Sequence, residues 1–346
     1  MADRRLAASL ILSRTPIAEQ VALVRTFEDA GFDRVFFGEA WREPVVPLAA
    51  ALAGTRRIGV GTAVSQMFPV NPVVAAQQAA QLDELGRGRL SLGFGLGASF
   101  VVERWFGVPF ERPLRRAREF IDVVRGVLAS PATGPFSYDG EIFRVRKYSL
   151  SFASEPVQVP VHLAAVGPRM LELAGEVADG VIVGALHSPA SMERTLKRLS
   201  SGAARSGRTF ADLEVWFYLT CCVSADPARA RALARRSLVY LTQYPHYRQI
   251  YEAEGFGQVV SEIAELVHDR KTDAAEARVT DEMVERFAIA GTVTECRDQL
   301  RRFDDYPGTP ILHLIPFRID EDEVLESLRL AGSLAAPASQ TTLVDE

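Results

Sequence analysis

The chain has 346 residues, 48% of them hydrophobic and 24% charged, with a formal net charge of −5. This length can bury a large core and fits an α/β barrel with insertions. The slightly acidic balance gives no electrostatic case for nucleic acid or an acidic membrane surface, and no apolar run approaches the ~20 residues of a membrane span.

Residues 6–12 read as a first strand. Arg4 and Arg5 precede it as basic residues precede a leader, but Ser13-Arg14-Thr15 ends the apolar run too soon for one. Thr15-Pro16-Ile17-Ala18-Glu19 then opens a helix, with Thr15 as cap, proline early and an acid in the first turn; Gly31 stops it. Residues 33–39 form a second strand and 45–52 a helix. A third strand over 57–64 is followed by Asn71-Pro72, a cap and an N1 proline, which open a long helix to residue 85. Residues 88–95 are a fourth strand and 112–128 another long helix. Residues 136–145 alternate in type around Asp139-Gly140, a hairpin signal that belongs outside the main sheet.

The next stretch has the clearest grammar. Val161 to Ala165 is an apolar run, Gly167 permits a tight turn, and Pro168 suits a first helical turn, where its missing N–H costs nothing. A second apolar run, 181–183, follows Asp179-Gly180, so strand, helix and strand fit within about two dozen residues, a compact βαβ unit. Free N–H groups at such a helix start attract anions, which makes Ala165-Val166-Gly167-Pro168 the first candidate for holding a phosphate.

Ser188-Pro189 opens the sixth helix, and residues 214–223 are a seventh strand. A mostly helical stretch covers 226–304. An eighth strand over 309–316 and a last helix over 321–330 lead to an Ala/Ser/Thr-rich tail, 335–346, expected to fray. Cys221 and Cys222 are neighbours on a strand and point to opposite faces, which rules against a disulfide between them. No cysteine spacing resembles a zinc site, and no metal is expected. Buried, reduced thiols fit a cytoplasmic protein.

Eight apolar strands separated by amphipathic helices give a parallel sheet, which right-handed crossovers close. The expected fold is a (β/α)8 TIM barrel with insertions: a single domain over 1–334, with a hairpin excursion near 136–146 and a helical insertion near 226–304. An open doubly wound sheet is the competitor. In a barrel, chemistry sits at the C-terminal strand ends. That rule nominates Glu39-Ala40-Trp41, residues 63–68, 95–99, 165–168 and 184–187, and Pro316-Phe317.

Several segments carry a family resemblance: Glu28-Asp-Ala-Gly-Phe-Asp-Arg-Val-Phe-Phe-Gly-Glu39, Asn71-Pro-Val-Val-Ala-Ala-Gln, and Leu82 through Gly97 with its Gly-Phe-Gly-Leu-Gly ending. Residues 136–143 and the run from Ala164 through Asp179-Gly180-Val-Ile complete the set. In this order the chain resembles the bacterial luciferase-like superfamily, and within it the coenzyme F420-dependent oxidoreductases, which include methylenetetrahydromethanopterin reductase and an F420-dependent glucose-6-phosphate dehydrogenase. The resemblance spans most of 6–200 and weakens beyond.

It implies a deazaflavin or flavin ring at the barrel mouth, with its phosphate at Ala165-Val166-Gly167-Pro168. It implies a non-prolyl cis peptide at Ala63-Val64 backing the ring, and close approach at Gly95, Gly97 and Gly184. It also implies a homodimer or higher homo-oligomer, with the small-residue helices 45–52 and 71–85 as the interface; the alternative is that these small faces pack on the barrel's own sheet. The departures bear on substrate. Glu39-Ala40 stands where the sugar-phosphate enzymes carry Asp-His, and Gly95-Leu96-Gly97-Ala98 where they carry Gly-Thr-Gly-Glu, so a sugar phosphate is not expected. The reductases carry Gly-Asp where Ala98-Ser99 stands.

Two catalytic candidates follow. Glu39 ends the second strand beside Trp41, and desolvation would raise its pKa, giving a proton carrier; the alternative is a carboxylate that fixes the loop. His187 follows the sixth strand and is either a donor or proton shuttle near neutral pH or an exposed loop histidine. His162 and His313 read as hydrogen-bonded core histidines. Trp41, Gln66 and Phe68 are candidates for the substrate pocket. Gly93-Phe94-Gly95-Leu96-Gly97 lacks the third glycine and the acidic residue of a dinucleotide fingerprint. The functional expectation is hydride transfer between F420 and a small organic substrate. The alternatives are an FMN-dependent monooxygenase fed by a partner flavin reductase, and a barrel that binds flavin without catalysis.

Overall fold

The computed structural model describes residues 5–335. In chain order run β1 (Ala7–Leu10), α1 (Ile17–Asp29), β2 (Arg34–Phe37), α2 (Val45–Gly54), β3 (Gly59–Gln66), α3 (Pro72–Gly86), β4 (Leu90–Gly95), α4 (Ser99–Trp105) and α5 (Pro113–Thr133). The antiparallel hairpin β5 (Phe136–Asp139) and β6 (Arg144–Tyr148) precedes β7 (Val161–Ala165), α6 (Pro168–Val177), β8 (Gly180–Val183) and α7 (Pro189–Arg205). β9 (Glu214–Val223) leads into α8 (Pro227–Leu241), α9 (Pro245–Ala253), α10 (Gly257–His268), α11 (Thr272–Arg278) and α12 (Asp281–Phe287). β10 (Ala288–Gly291), α13 (Val293–Leu300), β11 (Thr309–His313) and α14 (Glu321–Gly332) follow.

The main sheet runs β10-β9-β11-β1-β2-β3-β4-β7-β8, and a further pairing of β9 with β8 closes it. Strands β1, β2, β3, β4, β7, β8, β9 and β11 thus form a parallel (β/α)8 barrel, and the open doubly wound sheet is excluded. β10 lies outside the ring, paired in parallel with Thr220 to Val223 of β9. The chain divides into two compact units: one holds residues up to 35, 184–193 and 217 onward, and the other holds 36–183 with 194–216.

In the unit containing β3, β4 and β7, local signals act as read. Asn71 caps α3 by accepting the Val73 N–H at 2.9 Å, with Pro72 at N1. Ala75, Ala76, Ala79 and Ala80 are buried within the protomer, so this stripe packs inside the chain; the large apolar side chains that α3 exposes are Val74 and Leu85. The buried Glu119 of α5 accepts the N–H groups of Glu141, Ile142 and Phe143 and so holds the hairpin loop. Burial opposes its ionisation, but these bonds and Arg115 hold its pKa below the usual range. Asp179, before β8, accepts the Val161 N–H at 2.8 Å and Arg125 at 2.5 Å, a structural role at the N-terminal strand ends. His162 is fully buried and bonded on both sides, to Ser91 at 3.1 Å and Glu214 at 2.8 Å. Phe36 meets Trp216 edge to face at 5.1 Å, and both are fully buried. Each such side chain contributes roughly 1.5–3 kcal/mol.

The other unit corrects the reading of Thr15. Thr15 does not cap α1, whose N-cap is Pro16 with no side-chain bond. The Thr15 hydroxyl instead donates to Glu321 at 2.5 Å, as do its own N–H, the Arg14 N–H and the Ser13 hydroxyl. Cys221, Cys222 and Cys296 are free and buried. The Cys296 thiol contacts the carbonyls of Gly291 at 3.5 Å and Cys222 at 3.8 Å. The 335–346 tail lies, after Ala335, outside the described residues.

Candidate active site

In the first set of strand ends, β3 is irregular. Ala63 pairs with Gly93 and Ser65 with Phe94, so Val64 is an extra residue, a β-bulge. The Ala63-Val64 peptide is cis, as the resemblance implies. Glu39, just beyond β2, clamps this bulge. Its main-chain N–H donates to the Val64 carbonyl at 3.1 Å. Its carboxylate accepts the Gln66 N–H at 2.7 Å and the Ser65 hydroxyl at 3.3 Å. Burial pushes the Glu39 pKa up, the Gln66 and Ser65 bonds pull it partly back, and Glu43 adds to the rise. Glu39 is therefore a clamp, and a carboxyl whose pKa burial raises.

Gln66 is 4% exposed, yet its Oε1 has no hydrogen-bond partner. Buried acceptors are nearly always satisfied, so this oxygen marks a place for a donor. Gly97 lies against the Gln66 amide at φ +72°, and a Cβ there would collide with the amide. A Cβ at Gly95 would meet Val64 Cγ2 at 2.6 Å and Ala164 Cβ at 3.4 Å. Both glycines thus keep the main chain bare beside the bulge.

Phe68 is buried, stacked on Phe110 at 4.6 Å, with the Arg116 guanidinium 4.5 Å from its ring centroid. Its ring is therefore already committed to packing, and Trp41 is 62% exposed. Beyond β7, Ala165 is buried and Gly167 is the N-cap of α6. No side chain caps this helix, its first turn holds no acid, and nothing lies within 4 Å of where a Gly167 Cβ would sit. Val166 and Pro168 flank this open, positive helix end.

The other unit carries Gly184 and His187 after β8, and here the expectation for His187 is corrected. It is not exposed: only 4% of it is accessible, and burial pushes its pKa down to about 4, against backbone hydrogen bonds at Tyr218 and Gly184. Its Nε2 has no partner. His313 is also not the satisfied core histidine expected. Its Nδ1 has no partner, burial lowers its pKa to about 4, and its ring sits 4.7 Å from that of Tyr218. Tyr247, from the helical insertion, accepts the Ala185 N–H at 3.3 Å. Sequence reasoning passed over Tyr247 because only the fold brings it to Ala185, 62 residues away in the chain. Among the described residues no cluster could hold a metal, and no helix is long and apolar enough to cross a membrane.

Comparison with known proteins bears on this geometry. Residues 4–309 match the family model of luciferase-like monooxygenases. The chain belongs to that family. Among its relatives, Rv3520c of Mycobacterium tuberculosis, provisionally named a coenzyme F420-dependent oxidoreductase, is 34% identical over 82% of this chain and 87% of its own. The 5,10-methylenetetrahydromethanopterin reductase of Archaeoglobus fulgidus is 28% identical over 91% of this chain and 93% of its own. The structure of the coenzyme F420-dependent tetrahydromethanopterin reductase from Methanopyrus kandleri superposes with a TM-score of 0.81, at 23% identity, over 96% of this chain and 98% of that one. This luciferase-like chain is accordingly an enzyme, an oxidoreductase by its relatives.

Proposed function

We propose that the protein is a coenzyme F420-dependent oxidoreductase that moves a hydride between the deazaflavin ring and a small organic substrate. The observation that carries this is the 34% identity to an F420-named relative across most of both chains. The residues present fit such a group. The bulge at Ala63 and Val64, the bare main chain at Gly95 and Gly97, and the unfilled Gln66 Oε1 would hold the ring; the uncapped helix end at 165–168 would hold the phosphate.

Bound F420 supplies two-electron chemistry at its ring. The chain supplies position. Glu39 fixes Val64 and Gln66 through main-chain bonds, and burial raises the pKa of its carboxyl. The free, buried thiols support a reducing cytoplasm as the place of work. FMN-dependent oxygenation, with a separate flavin reductase, is the second reading, because the family model takes its description from monooxygenases. Titration with F420 and with FMN under equal conditions separates them. Tighter FMN binding, with oxygen consumed on a substrate, overturns the F420 reading.

A further inference from the structure

The unit that holds residues 184–193 and 217 onward presents an arc of uncharged aromatic groups around His187 and the end of β11. His187 is held by the main chain at Tyr218. The Tyr218 ring lies beside His313, and Tyr247 is bonded to Ala185, next in the loop to Leu186 and His187. Tyr244 packs on Tyr247 with centroids 6.3 Å apart, and Phe317 follows β11. Burial keeps the ionised forms away. The Tyr247 phenol is pushed up to about 12 and both imidazoles are pushed down to about 4, so none of these groups carries charge at neutral pH. The nearby carboxylate Glu254 is engaged by Ser188 and Arg286.

Two ring nitrogens, His187 Nε2 and His313 Nδ1, are buried without a partner. The main-chain bonds to His187 favour protonation of the nitrogen they engage, which leaves Nε2 of the neutral ring as a lone-pair acceptor. A buried acceptor calls for a donor, and an uncharged aromatic wall disfavours a desolvated anion.

We propose that this arc is a substrate subsite for a neutral, aromatic or apolar molecule bearing a hydroxyl group, whose O–H donates to His187 Nε2. The assignment rests on the reading of the barrel as an enzyme acting on a small organic molecule. It goes beyond that reading in naming the substrate's charge, its surface and the atom that recognises it. Carboxylates and phosphate esters are excluded by the same wall.

The test uses the full chain without added cofactor, so that it does not depend on whether F420 or FMN is the partner. The probes are matched sets of aromatic alcohols, the corresponding hydrocarbons and the corresponding carboxylates, 1-phenylethanol, ethylbenzene and benzoate among them. Because the chain holds only five histidines, long-range 15N–1H spectra of histidine-labelled protein resolve the rings individually. The His187→Phe variant assigns the His187 signal. The expected result is that alcohols move the His187 Nε2 resonance and bind about tenfold tighter than their hydrocarbons, the scale of one net hydrogen bond. Carboxylates should bind weaker still, and His187→Phe should erase the difference between alcohol and hydrocarbon. Equal binding of alcohols and hydrocarbons, tighter binding of carboxylates, or no binding by any probe at millimolar concentration would each overturn the proposal. If that variant fails to fold, the order of wild-type affinities for alcohol, hydrocarbon and carboxylate decides it, and His187→Gln serves for assignment. Loss of F420 binding with these spectral responses intact would overturn the cofactor reading alone.

Discussion

Glu39 and Glu321 both stand past a strand end and both accept main-chain N–H groups, yet their protons are held in opposite ways. Glu321 collects bonds from Ser13, Arg14 and Thr15. Burial works against its ionisation, but the bonds from Thr15, Arg14 and Ser13 together outweigh it and hold its pKa at about 2. Glu39 has one strong N–H bond and one long hydroxyl bond, and burial wins. The number of donors thus decides whether a buried carboxylate is a permanent staple or a group that can still exchange a proton. The β1–α14 junction is built as the first kind and the β2–β3 mouth as the second.

The largest effect that would break this comparison lies at Glu321. Its folded pKa is depressed, so its contribution to stability is present above about pH 4.5 and fades as pH falls toward about 2. Glu321→Gln should cost about 2 kcal/mol at pH 7, and the gap to wild type should narrow in acid, read by denaturant unfolding at several pH values. A constant gap across that range would mean that packing, not charge, makes the junction.

Next in size is Gly167→Val. The φ of −72° and the open space at this position let the fold accept a side chain, so thermal stability should hold. Affinity for F420 should drop roughly tenfold or more, by loss of a charge-assisted main-chain bond. Unchanged affinity would move the phosphate to another turn.

The smallest effect, and the sharpest in sign, is at Glu39. Its raised pKa means that its ionised form is disfavoured by the fold, a cost that grows as pH rises above the ordinary carboxylate range. Glu39→Gln keeps an acceptor for the Gln66 N–H and removes that charge, so its unfolding midpoint at pH 7 should equal or exceed wild type, opposite to Glu321→Gln. Pre-steady-state hydride transfer then separates proton carrier from clamp. A carrier loses about 10²–10⁴-fold, with one limb of the pH profile gone, whereas a clamp loses only a few-fold. The clamp outcome is expected, with Glu39→Ala costing more than Glu39→Gln.

What the sequence shows and hides follows from the range of the interaction. β7 is read to the residue because Pro160 and Gly167 punctuate an apolar run, and the α3 cap because Asn71 and Val73 are near neighbours. The Gly-Pro turn that nominates the phosphate site is equally local. β10 escapes notice because Ala288-Ile-Ala-Gly291 has no strand signal of its own; only pairing with the far end of β9 makes it one. Thr15 misleads because its acceptor lies 306 residues away. His187 misleads for the same reason. A polar loop residue reads as exposed, and its burial comes from Phe217 and Tyr218 on the next strand. α4 is a short helix in a loop that composition alone leaves unassigned.

The three thiols give the protein a use as its own reporter. Cys221, Cys222 and Cys296 are at most 3% exposed, and burial pushes each well above the ordinary thiol range, Cys296 to about 12. Thiolate is the reactive form, so the folded chain should be silent toward alkylating dyes, while unfolding releases all of its sulfur chemistry. A cysteine placed by mutation on the surface would therefore take a label against an empty background. The native thiols, in turn, would count each opening of the β9–β10 region, with no probe added at all.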